Sequence, residues 1–112
     1  MIRFLTCAAQ GDSLHNLGDT YRELGRNEEE IVMKEKALKF RRSCLPQHHP
    51  DIGSSCFSLS ISYLQMGNLN RAIEFAREGL LIWQAALPSS HPNIATALQL
   101  VAQIEQLMCV RP

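Results

Sequence analysis

Apolar residues recur along this chain at spacings of three and four, and glycine or proline interrupts them at regular intervals. Leu14, Leu17, Gly18, Tyr21 and Leu24 mark one face of a first helix. Gly25 follows as its stop, because glycine takes a left-handed backbone without steric cost. A second helix is predicted over about 28–43. Its first turn is acidic (Glu28, Glu29, Glu30) and its last is basic (Lys39, Arg41, Arg42), so both ends complement the helix dipole. Pro46 lies just past its end. The plan then starts again. Pro50 suits a first helical position, where its missing N–H costs nothing. Cys56, Leu59, Ser60, Tyr63 and Met66 form an inner face, Gly67-Asn68 makes a turn, and a helix over about 69–86 follows. Pro92 opens a last helix whose core-facing residues are predicted to include Leu98, Val101 and Met108. The stretch 2–9 reads as the last turns of an earlier second-type helix. No hairpin dipeptide sits between alternating runs, so no strand is predicted.

The pattern is an internal repeat. Leu45-Pro46-Gln47-His48-His49-Pro50-Asp51-Ile52 reappears as Leu87-Pro88-Ser89-Ser90-His91-Pro92-Asn93-Ile94, an offset of 42 residues. Leu17, Tyr21, Gly25 and Leu38 match Leu59, Tyr63, Gly67 and Leu80 at that offset. The expected organisation is one all-α domain over 1–112, a solenoid fragment of about two and a half helical hairpins. It divides into an N-terminal helical segment 1–11, a first repeat 12–50, a second repeat 51–92 and a half repeat 93–112.

Leu14-His15-Asn16-Leu17-Gly18-Asp19-Thr20-Tyr21, followed by Gly25 and Ala37-Leu38, resembles a tetratricopeptide repeat. The 42-residue spacing and the His-Pro-Asp or His-Pro-Asn helix start are similar to the kinesin-light-chain subtype. Four positions depart from the pattern. Glu30 and Lys34 stand where that family usually has a small residue and an aromatic or bulky one, so looser packing is expected in the first repeat. Glu105 and Cys109 replace the tyrosine and glycine of the last helix, which is expected to run on without a sharp stop. The resemblance implies a non-enzymatic scaffold that binds a protein segment in a concave groove lined by the first helix of each pair.

Composition narrows the function classes. The chain has 112 residues, 46% of them hydrophobic and 20% charged, and a net charge of zero. A binder held by phosphate attraction needs a basic excess, so no nucleic-acid partner is expected. No apolar run reaches the roughly 18–20 residues that span a bilayer, so no membrane partner is expected. Cys7, Cys44, Cys56 and Cys109 are irregularly spaced and read as reduced thiols of a cytoplasmic protein. No cofactor is implied. Cys44, His48, His49 and Cys56 are types that suit zinc, but their spacing matches no ligand knuckle, and His49 is matched by His91 as a helix-start residue. Trp83 reads as core packing under the last helix, with a partner anchor as the alternative.

The expected groove follows from the expected core. Beside Cys56, Leu59 and Tyr63 runs a second apolar stripe, Phe57, Ile61 and Leu64. A helix apolar on two faces is either buried twice or binds something. The matching positions are His15, Asp19 and Arg22 in the first repeat, with Asn16 beside them, and Gln99 and Gln103 in the last helix. The groove is expected to take a peptide or helix with a few apolar anchors. A self-associating module is the alternative. With Leu98, Val101 and Met108 turned inward, Ile94, Leu100, Ile104 and Leu107 are expected at the surface, with Leu100, Ile104 and Leu107 pairing two copies of the chain.

Overall fold

The computed structural model describes residues 2–110, with side chains described for 9–109. Five helices follow one another: α1 (Ile2–Glu23), α2 (Asn27–Cys44), α3 (Pro50–Gln65), α4 (Leu69–Ala86) and α5 (Pro92–Val110). The pairs α1–α2 and α3–α4 are antiparallel hairpins, and α5 packs on α4. The molecule measures 51 × 35 × 19 Å, and its short dimension is about two helix diameters.

Short-range chemistry sets the turns. Gly25 and Gly67 have φ of 75° and 81°. At each, two N–H groups close the helix end: Gly25 N to the Arg22 carbonyl and Arg26 N to the Tyr21 carbonyl, repeated as Gly67 N to Leu64 and Asn68 N to Tyr63. A Cβ at Gly67 would meet nothing within 4 Å, so the conformation alone demands glycine. Gly67→Val is therefore expected to lower stability by about 1–2 kcal/mol, read from urea unfolding; an unchanged midpoint would contradict the turn geometry. At the other ends, His49 Nδ1 accepts the Asp51 N–H at 3.0 Å and His91 Nδ1 the Asn93 N–H at 3.1 Å. These histidines are helix caps.

The two hairpin junctions bury different chemistry. Where α3 and α4 meet α2, Leu38, Ile52, Cys56, Leu59 and Ile82 form an apolar cluster. Beside it Glu30, Lys34 and Arg41 are also buried. Where α5 meets α4, the contact is apolar: Ala72, Ile73 and Ala76 against Leu100 and Ile104. Trp83 lies under Ile94 and Ala97 in a third cluster, packs on Phe57 at 5.3 Å between ring centroids, and is core.

Several expectations are corrected. Residues 2–23 form one continuous helix, so 2–9 is not the end of a separate one. The face marked on α1 is covered only in part: Gly18 is buried against Lys34 and Leu14 and Tyr21 are half-buried, but Leu17 and Leu24 are exposed, and Gly11, outside that face, is buried against Arg41. Met66 is exposed. Leu100 (8% accessible) and Ile104 (0%) lie in the α4–α5 core and Ile94 is buried with Trp83, whereas Leu98 is exposed; Leu107 is exposed, as expected. The inward face of α5 is thus rotated from the expected one, because Ala72 and Ala76 on α4 leave room for large side chains there. Cys44 is disulfide-bonded, which corrects the reduced-thiol reading at that position. Cys56 and Cys109 are free, and Cys7 lies outside the described side chains.

Candidate functional site

The first helix of each hairpin and the last helix carry the expected groove residues in register: His15, Phe57 and Gln99, then Asp19, Ile61 and Gln103, each set 42 residues apart. On α3, Phe57, Ile61 and Leu64 are half-buried. Their inner edges pack on the α4–α5 core, so part of this stripe is spent on folding and part remains open. Gln99 and Gln103 are exposed one turn apart on α5, and Arg22 and Asn16 are exposed on α1.

His15 and Asp19 belong to an ionic chain that reaches the interior. His15 Nε2 lies 3.8 Å from Asp19, and Asp19 lies 3.1 Å from Lys34 Nζ. Lys34 is 1% accessible; it also pairs with Glu30 at 3.1 Å and donates to the Ser58 hydroxyl at 2.5 Å. Ser62 donates to Glu30 at 2.9 Å. Further along the same junction, Arg41 bonds Asp12 on α1 and Ser55 on α3, both at 2.7 Å. The sequence reading missed these residues as structural elements. Glu30 and Lys34 stood out only as departures from pattern, and Arg41 only as a charge in the last turn. The available signal was that Lys34, Ala37, Leu38 and Arg41 share one helical face.

Burial holds the His15 imidazole below its ordinary range; Asp19 opposes that shift, and Arg41 and Lys34 reinforce it. A group with a lowered folded pKa favours the neutral form in the native state. The unfolded chain therefore takes up the proton first as pH falls through about 6.5. Stability contributed by neutral His15 is complete above that pH and is lost below it. His15→Gln is expected to flatten the stability profile between about pH 7 and 5.5, measured by urea titration at each pH. An unaltered slope would show that other groups set it.

On the opposite face, a cleft of about 500 Å³ between α2 and α4 is lined by residues including Glu35, Arg42, Arg71, Phe75 and Glu78. Several of its polar groups already have partners: Arg42 pairs with Glu78, Arg71 with Glu74, Glu35 accepts from the Tyr63 hydroxyl, and Arg71 covers the Tyr63 and Phe75 rings. Among the described residues no three His, Cys, Asp or Glu side chains gather as a metal site. No described helix is long and apolar enough to cross a membrane.

Stacked antiparallel hairpins with a side-chain-lined inner face define a helical-repeat solenoid. Residues 11–51 and 54–93 match the tetratricopeptide repeat family, and the chain belongs to it. Its fold is similar to that of a Podosopora anserina protein described as a putative kinesin light chain with nearly identical TPR-like repeats. The TM-score is 0.76 at 23% identity, over 89% of this chain and 47% of that one. A single-substitution variant of that protein gives 0.77 at 22% identity, over the same shares. The chain thus spans about half the length of these solved structures. No curated protein matches it.

Proposed function

We propose that this chain binds a peptide or helix along the face formed by α1, α3 and α5. Tetratricopeptide repeats are in general protein–protein interaction modules, and arrays of this kind are typically non-enzymatic scaffolds. The observation that carries the groove reading is the half-open stripe of Phe57, Ile61 and Leu64. It is flanked by charge on α1 and by amides on α5. Such a face suits a short segment with two or three apolar anchors, an acidic or basic end placed over α1 and a polar end over α5. The open edges of Phe57 and Ile61 supply apolar contact, and Gln99 and Gln103 supply adaptable hydrogen bonds.

Truncating the stripe itself would also loosen the α4–α5 core, so exposed positions make the cleaner test. Peptides selected on the wild-type chain from a displayed random library are expected to lose binding about tenfold in Arg22→Glu/Gln103→Glu. Leu81→Glu, on exposed α4 surface, leaves binding unchanged. Selected peptides that depend on Leu81 and ignore the α1 and α5 positions would place the binding face elsewhere.

A further inference from the structure

The chain contains two kinds of helix-to-helix docking surface, and its N-terminal end presents one of them without an occupant among the described residues. The helix α3 meets α2 through two parallel tracks. The polar track is Ser55, Ser58 and Ser62, bonded to Arg41, Lys34 and Glu30 respectively. The apolar track is Cys56, Leu59 and Tyr63, packed with Leu38, Ile31 and Leu45. Forty-two residues earlier α1 carries the same two tracks: Ser13, Asn16 and Thr20 beside Leu14, Leu17 and Tyr21. There the polar track and Leu17 are open, with Leu14 and Tyr21 half-buried. Ser13, Asn16, Leu17 and Thr20 are all exposed. A recess of about 300 Å³ between Gln10, Ser13, Leu14 and Phe40 runs alongside.

The helix α5 shows the other kind. At the polar-track positions it has Ala97, Leu100 and Ile104, all buried. Its partner α4 answers with Ala72 and Ala76 where α2 has Glu30 and Lys34, and with Trp83 where α2 has Arg41. The chemistry on one helix therefore predicts the chemistry of the helix it receives: hydroxyls receive charges, and aliphatic side chains receive alanine. A helix of the α4 kind on α1 would leave Ser13 and Asn16 facing alanine and tryptophan without partners.

We infer that the Ser13–Asn16–Thr20 side of α1 is a docking surface for a partner helical hairpin of the first-repeat kind. The second helix of that hairpin carries Glu, Lys and Arg at positions i, i+4 and i+11, as Glu30, Lys34 and Arg41 do in α2. Its aliphatic residues stand at i+1, i+8 and i+15, as Ile31, Leu38 and Leu45 do. The occupant is not a second copy of this chain, because the chain's own helix of that chemistry is already committed to α3. The surface borders the peptide-binding face and shares Asn16 with its margin, but neither reading depends on the other, because the peptide reading rests on Phe57, Ile61 and Leu64.

Insertion of 42 residues after Ala8 of the full chain tests this directly. One version inserts a copy of residues 9–50 and so brings an α2-type helix onto α1; the other inserts residues 51–92 and brings an α4-type helix. The first is expected to raise the thermal midpoint by about 5 °C or more, and the second by less. Ser13→Ala/Asn16→Leu/Thr20→Ile, made in the receiving α1, copies the α5 surface and is expected to reverse that order. The intrinsic stability of each inserted hairpin cancels when the two receiving faces are compared. The same order on both faces, equal midpoints for the two insertions, or a first insertion that lowers the midpoint would overturn the assignment. So would an unmodified chain that light scattering finds dimeric and that Leu17→Glu makes monomeric, since the face would then belong to a second copy.

Discussion

Lys34→Ala is expected to destabilise the protein by about 3–5 kcal/mol, a large share of the total stability of a domain this size. The Lys34 ammonium is 1% accessible and holds together three helices: Asp19 on α1, Glu30 on α2 and Ser58 on α3. Without it the Glu30 carboxylate, also 1% accessible, keeps only the Ser62 hydroxyl among its described partners. A buried charge with one hydrogen bond is the costly species, and its removal should restore stability. Glu30→Ala/Lys34→Ala, which reproduces Ala72 and Ala76 of the second repeat, is therefore expected to be more stable than Lys34→Ala alone. Urea unfolding of the wild type and the two variants measures both effects. A single-variant loss below about 1 kcal/mol, or a double variant no better than the single, would mean that the pair is solvated.

Trp83→Ala is the second large effect, at about 3–5 kcal/mol. Trp83 is 4% accessible, and its Nε1 donates to the Pro50 carbonyl at 3.1 Å. Truncation empties the space beneath Phe57 and Ile94 and removes one donor to that carbonyl, which keeps the Ser54 hydroxyl. The site has a companion whose sign is less obvious. Glycine inside a helix normally costs about 1 kcal/mol relative to alanine, so Gly53→Ala would stabilise an isolated helix. Here a Cβ on Gly53 would lie 2.6 Å from two atoms of the indole ring. Overpacking against a rigid buried ring costs about 1–3 kcal/mol, so Gly53→Ala is expected to be net destabilising. It should be less so in a Trp83→Leu background, because the two positions share one contact. A Gly53→Ala protein with a raised melting temperature would show that the ring can move aside.

Much of the fold was legible from residues close together in the chain. The 42-residue period, the glycine turns, the proline and histidine helix starts and the limits of α4 all depend on local backbone conformation and hydrogen bonding. Those are written in residue types at fixed short spacings. The candidate binding face was legible in part. Its register on α1, α3 and α5 follows from the period, but the share of Phe57 and Ile61 that folding consumes does not. The inward face of α5 was misread for a related reason. Leu98 and Leu100 are equally apolar, and only the alanines opposite them on α4 decide which is covered.

The sequence by itself determined that this protein is an array of helical hairpins with a 42-residue repeat, because helix periodicity and turn chemistry are local. The tertiary structure alone decided what lies between the hairpins. Glu30, Lys34 and Arg41 are residues that ordinarily face water, and the helical face that Lys34 and Arg41 share with Ala37 and Leu38 does not by itself decide that they are buried. They become interior only because Ser55, Ser58 and Ser62 on α3 and two aspartates on α1 meet them across the junction. In the second repeat the same positions hold alanine and tryptophan, and the partner helix is aliphatic to match. Burial is a property of both sides of an interface, and a linear sequence shows a single side at a time.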